Sequence, residues 1–127
     1  MTPTKGSEQA AGFDLYSCQD KKIPANGHDC VQTGISIQLP QGTYGRISIR
    51  SSLAKQFLQV GGGVIDSDYR GELIIFLFNH SKNDFQVLKG SRVAQLIIEK
   101  ISHPQLIELD KLPKTERNDK GFGSSGL

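Results

Sequence analysis

Arg50-Ser51-Ser52-Leu53-Ala54 brings a guanidinium and two hydroxyls to the start of a short helical stretch. Backbone N–H groups at a helix start favour negative charge, and arginine grips oxyanions through paired donors, so these residues could hold an anion. A helix cap beside a surface arginine would use the same residues. A second cluster runs from Gly61 to Glu72 and reads GGGVIDSDYRGE. Its three glycines mark a place where something approaches the backbone closely. The chain then turns through Asp66-Ser67-Asp68 and returns through Gly71 to Ile74, the pattern of a β-hairpin. Such a hairpin can offer a flat ligand its own N–H and C=O groups; a glycine-bulged hairpin with solvated acids has the same pattern. In the third cluster, Gly90 to Leu96, Gln95 interrupts an apolar strand and its amide needs a partner, either a ligand or nearby backbone. The last cluster joins Arg117 to Gly121-Phe122-Gly123-Ser124-Ser125-Gly126. Backbone N–H groups in such a run can wrap a phosphate while Phe122 stacks on a base. A flexible end of the chain has a similar composition.

Other chemistry finds little support. His28, His80 and His103 lie in unrelated surroundings without metal-ligand spacing, and there is no GxSxG, P-loop or HExxH sequence. The formal net charge of +2 is small and scattered, which argues against a nucleic-acid partner. The opening MTPTKGSEQ lacks the apolar stretch of a secretory signal, and the longest apolar run, Leu73 to Phe78, is too short to span a bilayer. The expectation is a soluble intracellular protein, in cytoplasm or nucleus, with no membrane partner. Cys18 and Cys30 have no CxxC spacing and are expected to stay reduced.

These clusters must be positioned by strands. The 127 residues suit one domain, and 14 glycines with no tryptophan tilt toward a turn-rich β architecture. Val31, Thr33, Ile35, Ile37 and Leu39 alternate with polar residues, as on a half-buried strand, and Ile47 and Ile49 repeat the rule. Leu73 to Asn79 reads as a strand buried on both faces. Asn83 to Ile101 reads as two strands separated by Lys89-Gly90. Only Ser51 to Phe57 suits a helix, with Ser51 or Ser52 as its cap. Short, regularly spaced strands predict a sandwich or barrel. From residue 114 onward the sequence has one large apolar ring, Phe122, and no periodicity, so 1–113 is expected to be β core and 114–127 a mobile arm.

Taken in order, and joined by AGFDLYS at Ala11 to Ser17, the clusters resemble the five motifs of trimeric dUTP diphosphatases. AGFDLYS resembles the first motif, GRISIRSSLA the second, GGGVIDSDYRGE the third, KGSRVAQL the fourth and RNDKGFGSSG the fifth, with similar spacing. The resemblance implies a jelly-roll-like, distorted β-barrel that forms a homotrimer. Active sites would be shared between subunits, and the C-terminal arm would be exchanged onto a neighbour's site. The implied reaction is hydrolysis of dUTP to dUMP and pyrophosphate with Mg2+ as cofactor, which keeps uracil out of DNA and supplies dUMP for thymidylate synthesis.

The same resemblance implies roles for individual residues. Asp66 would activate the water that attacks the α-phosphorus. Tyr69 would pack on the deoxyribose where a 2′-hydroxyl would clash. Backbone at Gly63, Val64 and Ile65 would pair with the uracil edge, with Ile74 against the base. Arg50, Ser51, Ser52 and Gln95 would contact phosphates. Arg117, Gly123, Ser124 and Ser125 would grip the γ-phosphate while Phe122 stacks over uracil. Asp14 would act on the metal through water, the triphosphate oxygens holding Mg2+ directly.

Ser52 replaces a glycine usual in the second motif, and its backbone N–H survives. Ser91 stands where aspartate is common, and Asn118-Asp119-Lys120 replaces a more glycine-rich stretch. Only about ten residues precede AGFDLYS, where the family usually has an extra strand. The nearest rival, dCTP deaminase, resembles this sequence in RSSLA and the hairpin but needs a glutamate where Phe76 stands, and phenylalanine cannot move a proton. A regulatory module of the same fold would have lost its general base or its arm, whereas Asp66, Tyr69, Gln95, Arg117 and Phe122 are all present.

Overall fold

Alternation and closely spaced turns fold as nine strands and one short helix in the computed structural model, which describes residues 1–124 and 126. The strands are β1 (Gly12–Tyr16), β2 (Lys21–Ile23), β3 (His28–Gln32), β4 (Thr43–Ser48), β5 (Leu58–Gly61), β6 (Val64–Ile65), β7 (Ile74–Asn79), β8 (Phe85–Val87) and β9 (Arg92–Lys100). Helix α1 (Ser51–Ala54) joins β4 to β5. Three antiparallel sheets result, ordered β1-β9-β4-β6, β2-β8 and β3-β7-β5. The architecture is all-β as expected, although its ladders do not close into one continuous barrel. Leu15, Ile47, Val93 and Leu96 of the first sheet share one core with Val31, Ile75 and Leu77 of the third. Each such side chain adds roughly 1.5–3 kcal/mol by leaving water.

Several local expectations change. Val31 to Leu39 does alternate, with Val31, Thr33 and Leu39 buried, but the ladder stops at Gln32. Gly34, at φ 70°, turns the chain out of register, and Thr33 Oγ1 then donates to the Leu73 carbonyl at 2.6 Å. The strand expected to be buried on both faces is buried on one. Ile75, Leu77 and Asn79 point into the core, while Phe76 and Phe78 are 49% and 37% exposed. The core lies on only one side of that sheet. Helix α1 ends at Ala54 rather than Phe57, and its cap is Arg50, not a serine. Arg50 is extended, and its carbonyl accepts the N–H groups of Leu53 and Ala54 at 3.0 and 2.9 Å.

At the ends, Thr4 forms an antiparallel bridge with Asp14, so the short N-terminal segment covers the free edge of β1. Beyond β9, residues 101–113 lie outside the sheets and are exposed, with Leu106 at 98% and Ile107 at 79%. The exposed tail therefore begins well before residue 114. Among the described residues, no helix is long and apolar enough to cross a membrane.

Candidate active site

The glycine-rich cluster is a split hairpin rather than a simple one. β5 pairs with β7 from Leu58↔Asn79 to Gly61↔Phe76, and then the chain crosses to the other sheet. There β6 pairs with β4, setting Ile65 opposite Gly45 and Val64 opposite Arg46. The glycine that permits the crossing is Gly63. It has φ 95°, and a Cβ there would lie 2.5 Å from the Ile47 carbonyl oxygen. Ile47 donates its N–H to the Gly63 carbonyl at 2.7 Å. The close approach inferred from the glycines is thus made by the backbone of β4.

Because β6 and β7 belong to different sheets, the loop between them splays into a cleft of about 220 Å³. Val64, Ile65, Asp66, Tyr69, Ile74 and Phe76 line it. Its turn is fixed by its own polar groups. Tyr69 N–H donates to the Asp66 carbonyl at 3.1 Å, and Tyr69 Oη donates to the Glu72 carbonyl at 2.8 Å. The Tyr69 ring lies over Gly71, leaving no space for a side chain there. Arg70 Nη1 donates to the Ser67 carbonyl at 2.8 Å. Asp66 is exposed, and no hydrogen bond within the described residues engages its carboxylate. A free carboxylate beside an aromatic ring and apolar walls can hold water next to a flat ligand.

A second cleft of about 230 Å³ lies where β1, β9 and the start of α1 meet. Register sets Gln95 opposite Asp14 on one side and Ser48 on the other. Asp14 is 13% exposed and binds two guanidiniums: Arg50 Nε donates to Oδ1 at 3.1 Å and Arg92 Nη1 to Oδ2 at 3.4 Å. Two cations on one carboxylate leave the cleft net positive, and Arg50 keeps its terminal nitrogens for another acceptor. Gln95 Nε2 donates to the Ile49 carbonyl at 3.1 Å, fixing the backbone just ahead of Arg50 and Ser51. Spacing alone does not mark Arg92, since strand alternation would put it on the face opposite Gln95. Its long side chain at the start of β9 reaches Asp14 nonetheless.

The structure therefore gathers Val64, Ile65, Asp66, Tyr69 and Ile74 at one cleft, next to Gly63. Asp14, Arg50, Ser51 and Gln95 meet at the other, and Ser52 is exposed beside them on α1. Among the described residues, none lines both. The tail makes local contacts: Arg117 Nε donates to the Lys120 carbonyl at 2.8 Å, Ser124 N–H donates to that of Gly121 at 3.0 Å, and Phe122 and Gly123 are exposed. Ser125 lies outside the described residues.

No group of three or more metal-ligating side chains converges among the described residues. Both Asp14 oxygens are occupied by guanidiniums, which leaves this carboxylate suited to an ion reached through water. That fits a magnesium ion carried on phosphate oxygens.

The architecture is thus a three-sheet β domain with a cationic cleft and a separate hairpin cleft. Residues 1–126 match the dUTPase family model. A deoxyuridine 5′-triphosphate nucleotidohydrolase of Arabidopsis thaliana is 54% identical over 128 residues, covering 100% of this chain and 77% of that protein. The Staphylococcus bacteriophage 80alpha dUTPase, solved with dUpNHpp, superposes with a TM-score of 0.93 at 25% identity, over 100% of this chain and 92% of that one. A mutant dUTPase of phage phi11 of S. aureus, described with a structural Mg(II) ion, has a TM-score of 0.83 at 20% identity, over 90% and 92%. The chain belongs to the dUTPase family.

Proposed function

We propose that the chain hydrolyses dUTP to dUMP and pyrophosphate, in a site shared between copies of itself. The observation that carries this reading is the separation of the two clefts along β4. Ile65, next to Asp66, is opposite Gly45, whereas Arg50 and Ser51 follow the far end of the strand. From Gly45 along β4 and through the extended Arg50 the chain covers about 16 Å at roughly 3.3 Å per residue. A general base must lie within hydrogen-bond reach of the water it activates. Within one chain, Asp66 is too far along the sheet to serve a phosphorus held at Arg50 and Ser51. A second copy that presents its own Asp66 cleft against this Arg50 cleft completes the site. The homotrimer of the five-motif resemblance supplies such a neighbour, and the arm of residues 114–127, exchanged between subunits, closes over the site.

In that assembly Asp66 orients and deprotonates the water that attacks the α-phosphorus. Tyr69, pinned over Gly71, packs on the deoxyribose. The backbone of Gly63, Val64 and Ile65 and the side chain of Ile74 read the uracil. Arg50, Ser51, Ser52 and Gln95 hold the phosphates, and Arg117, Phe122, Gly123, Ser124 and Ser125 close over the nucleotide. Magnesium, when bound on the triphosphate with Asp14 in its outer shell, neutralises charge on the phosphate oxygens.

The test is pyrophosphate release from dUTP, dCTP, dTTP and UTP, with Asp66→Asn alongside. Rapid release from dUTP alone is expected, with the variant slower by about 10²–10⁴-fold, the usual contribution of a general base. Full activity in Asp66→Asn, or turnover of dCTP to a deaminated product, would overturn the proposal.

A further inference from the structure

The eleven residues ahead of β1 carry none of the roles assigned above, yet they fold against the Asp14 cleft. Thr4 donates its N–H to the Asp14 carbonyl at 3.3 Å and accepts the Asp14 N–H at 2.6 Å, so one residue holds both backbone groups of Asp14. Thr4 Oγ1 lies 2.5 Å from the Tyr16 hydroxyl, which ties the segment to the far end of β1. Lys5 Nζ sits 5.2 Å from the centre of the Phe13 ring and donates to the Glu8 carbonyl at 3.3 Å. The Ala10 N–H closes a turn onto the Ser7 carbonyl at 3.2 Å. β1 is thus held by β9 on one edge and by this segment on the other. Gly6 and Ala10 then form part of the wall of the cleft that contains Asp14, Arg50 and Arg92.

We propose that residues 4–10 are a positioning lip for the phosphates beyond the first, an inference that rests on reading this cleft as the triphosphate end. Two consequences of the geometry support it. Asp14 aims both guanidiniums, and Thr4 fixes the backbone from which Asp14 projects, so the segment sets the direction of the cationic groups. The wall itself is made of the two smallest residue types, which leaves room for a bulky anion beside them. At Gly6 nothing lies within 4 Å of where a Cβ would stand. A side chain added there enters open space at the wall of the cleft, without displacing any part of the folded chain.

The experiment compares the unaltered chain with Gly6→Leu and Thr4→Pro, the latter removing the N–H given to Asp14. The dissociation constants of dUpNHpp and dUMP and the melting temperature are measured for each. Both variants should bind dUpNHpp about tenfold or more weakly, a loss of roughly 1.4 kcal/mol. Binding of dUMP and the melting temperature of Gly6→Leu should stay essentially unchanged. Equal losses for the two nucleotides, or none, would overturn the lip. An unaltered chain that binds dUpNHpp no more tightly than dUMP would instead remove the triphosphate reading itself, and the lip with it.

Discussion

Asp66 and Gly63 lie three positions apart and do different work for different reasons. Around Asp66 the Tyr69 N–H and hydroxyl are already paired within the turn, while the Asp66 carboxylate keeps capacity to spare. Gly63 lets the chain cross from one sheet to the other while pressed against β4. Gly63→Ala should therefore cost about 1–3 kcal/mol, since it adds a left-handed non-glycine residue and a clash with the Ile47 carbonyl. Chemical denaturation checks this, and a loss below a few tenths of a kcal/mol would show that β6 can shift. Gly63 and Asp66 were both legible in the sequence as a glycine cluster followed by acids. What the glycine accommodates was not, because the partner backbone lies 16 positions earlier, at Ile47.

Among the elements, β4 and β9 carry the largest ladder and both clefts depend on it. At its end away from Arg50, Tyr44 and Arg46 both donate to the Glu99 carboxylate across the strands. The Tyr44 hydroxyl first, and the Arg46 guanidinium second, hold the Glu99 carboxyl below the usual glutamate range. A carboxyl whose folded pKa is lowered adds stability that is present above its unfolded value, about 4.3, and lost as pH falls through the lower folded value. Tyr44→Phe removes the larger of the two causes. Its Glu99 should titrate closer to the ordinary value by NMR, and acid unfolding should begin at a higher pH than in the unaltered chain. An unmoved Glu99 titration would assign the shift to Arg46. The strand itself was readable from Ile47, but the pairing of Tyr44 with Glu99 needed the register, which alternation does not supply.

For the molecule as a whole, the exposed apolar side chains are informative. Leu106, Ile107 and Leu112 are between 78% and 98% exposed on a segment with no strand of its own, and Phe76 and Phe78 line an uncovered sheet face. An assembly of copies would cover such groups. Complementation tests the shared site directly. Mixing Asp66→Asn with Arg50→Ala, after dissociation and reassembly, should restore activity that neither variant has alone, because some mixed sites draw Asp66 from one copy and Arg50 from another. Mixtures as inactive as their components would place both residues in a site within one chain. Removing residues 117–127 should leave sedimentation unchanged while abolishing most turnover, and an unaffected rate would show that the arm does not close over the nucleotide.

The sequence by itself determined the class of fold, and the resemblance of its five motifs carried the reading of the chemistry. Period-two alternation is a local property and was enough for the all-β reading, while Asp66, Arg50 and Gln95 were singled out by the order of their motifs along the chain and the family resemblance that order carries. Tertiary structure decided everything that depends on which strand lies beside which. It split the glycine-rich hairpin between two sheets and left one face of β7 uncovered. It also brought Arg92 to Asp14 and folded Thr4 onto β1. These depend on contacts between residues far apart in the chain, and such contacts follow from how the whole core packs rather than from any local pattern.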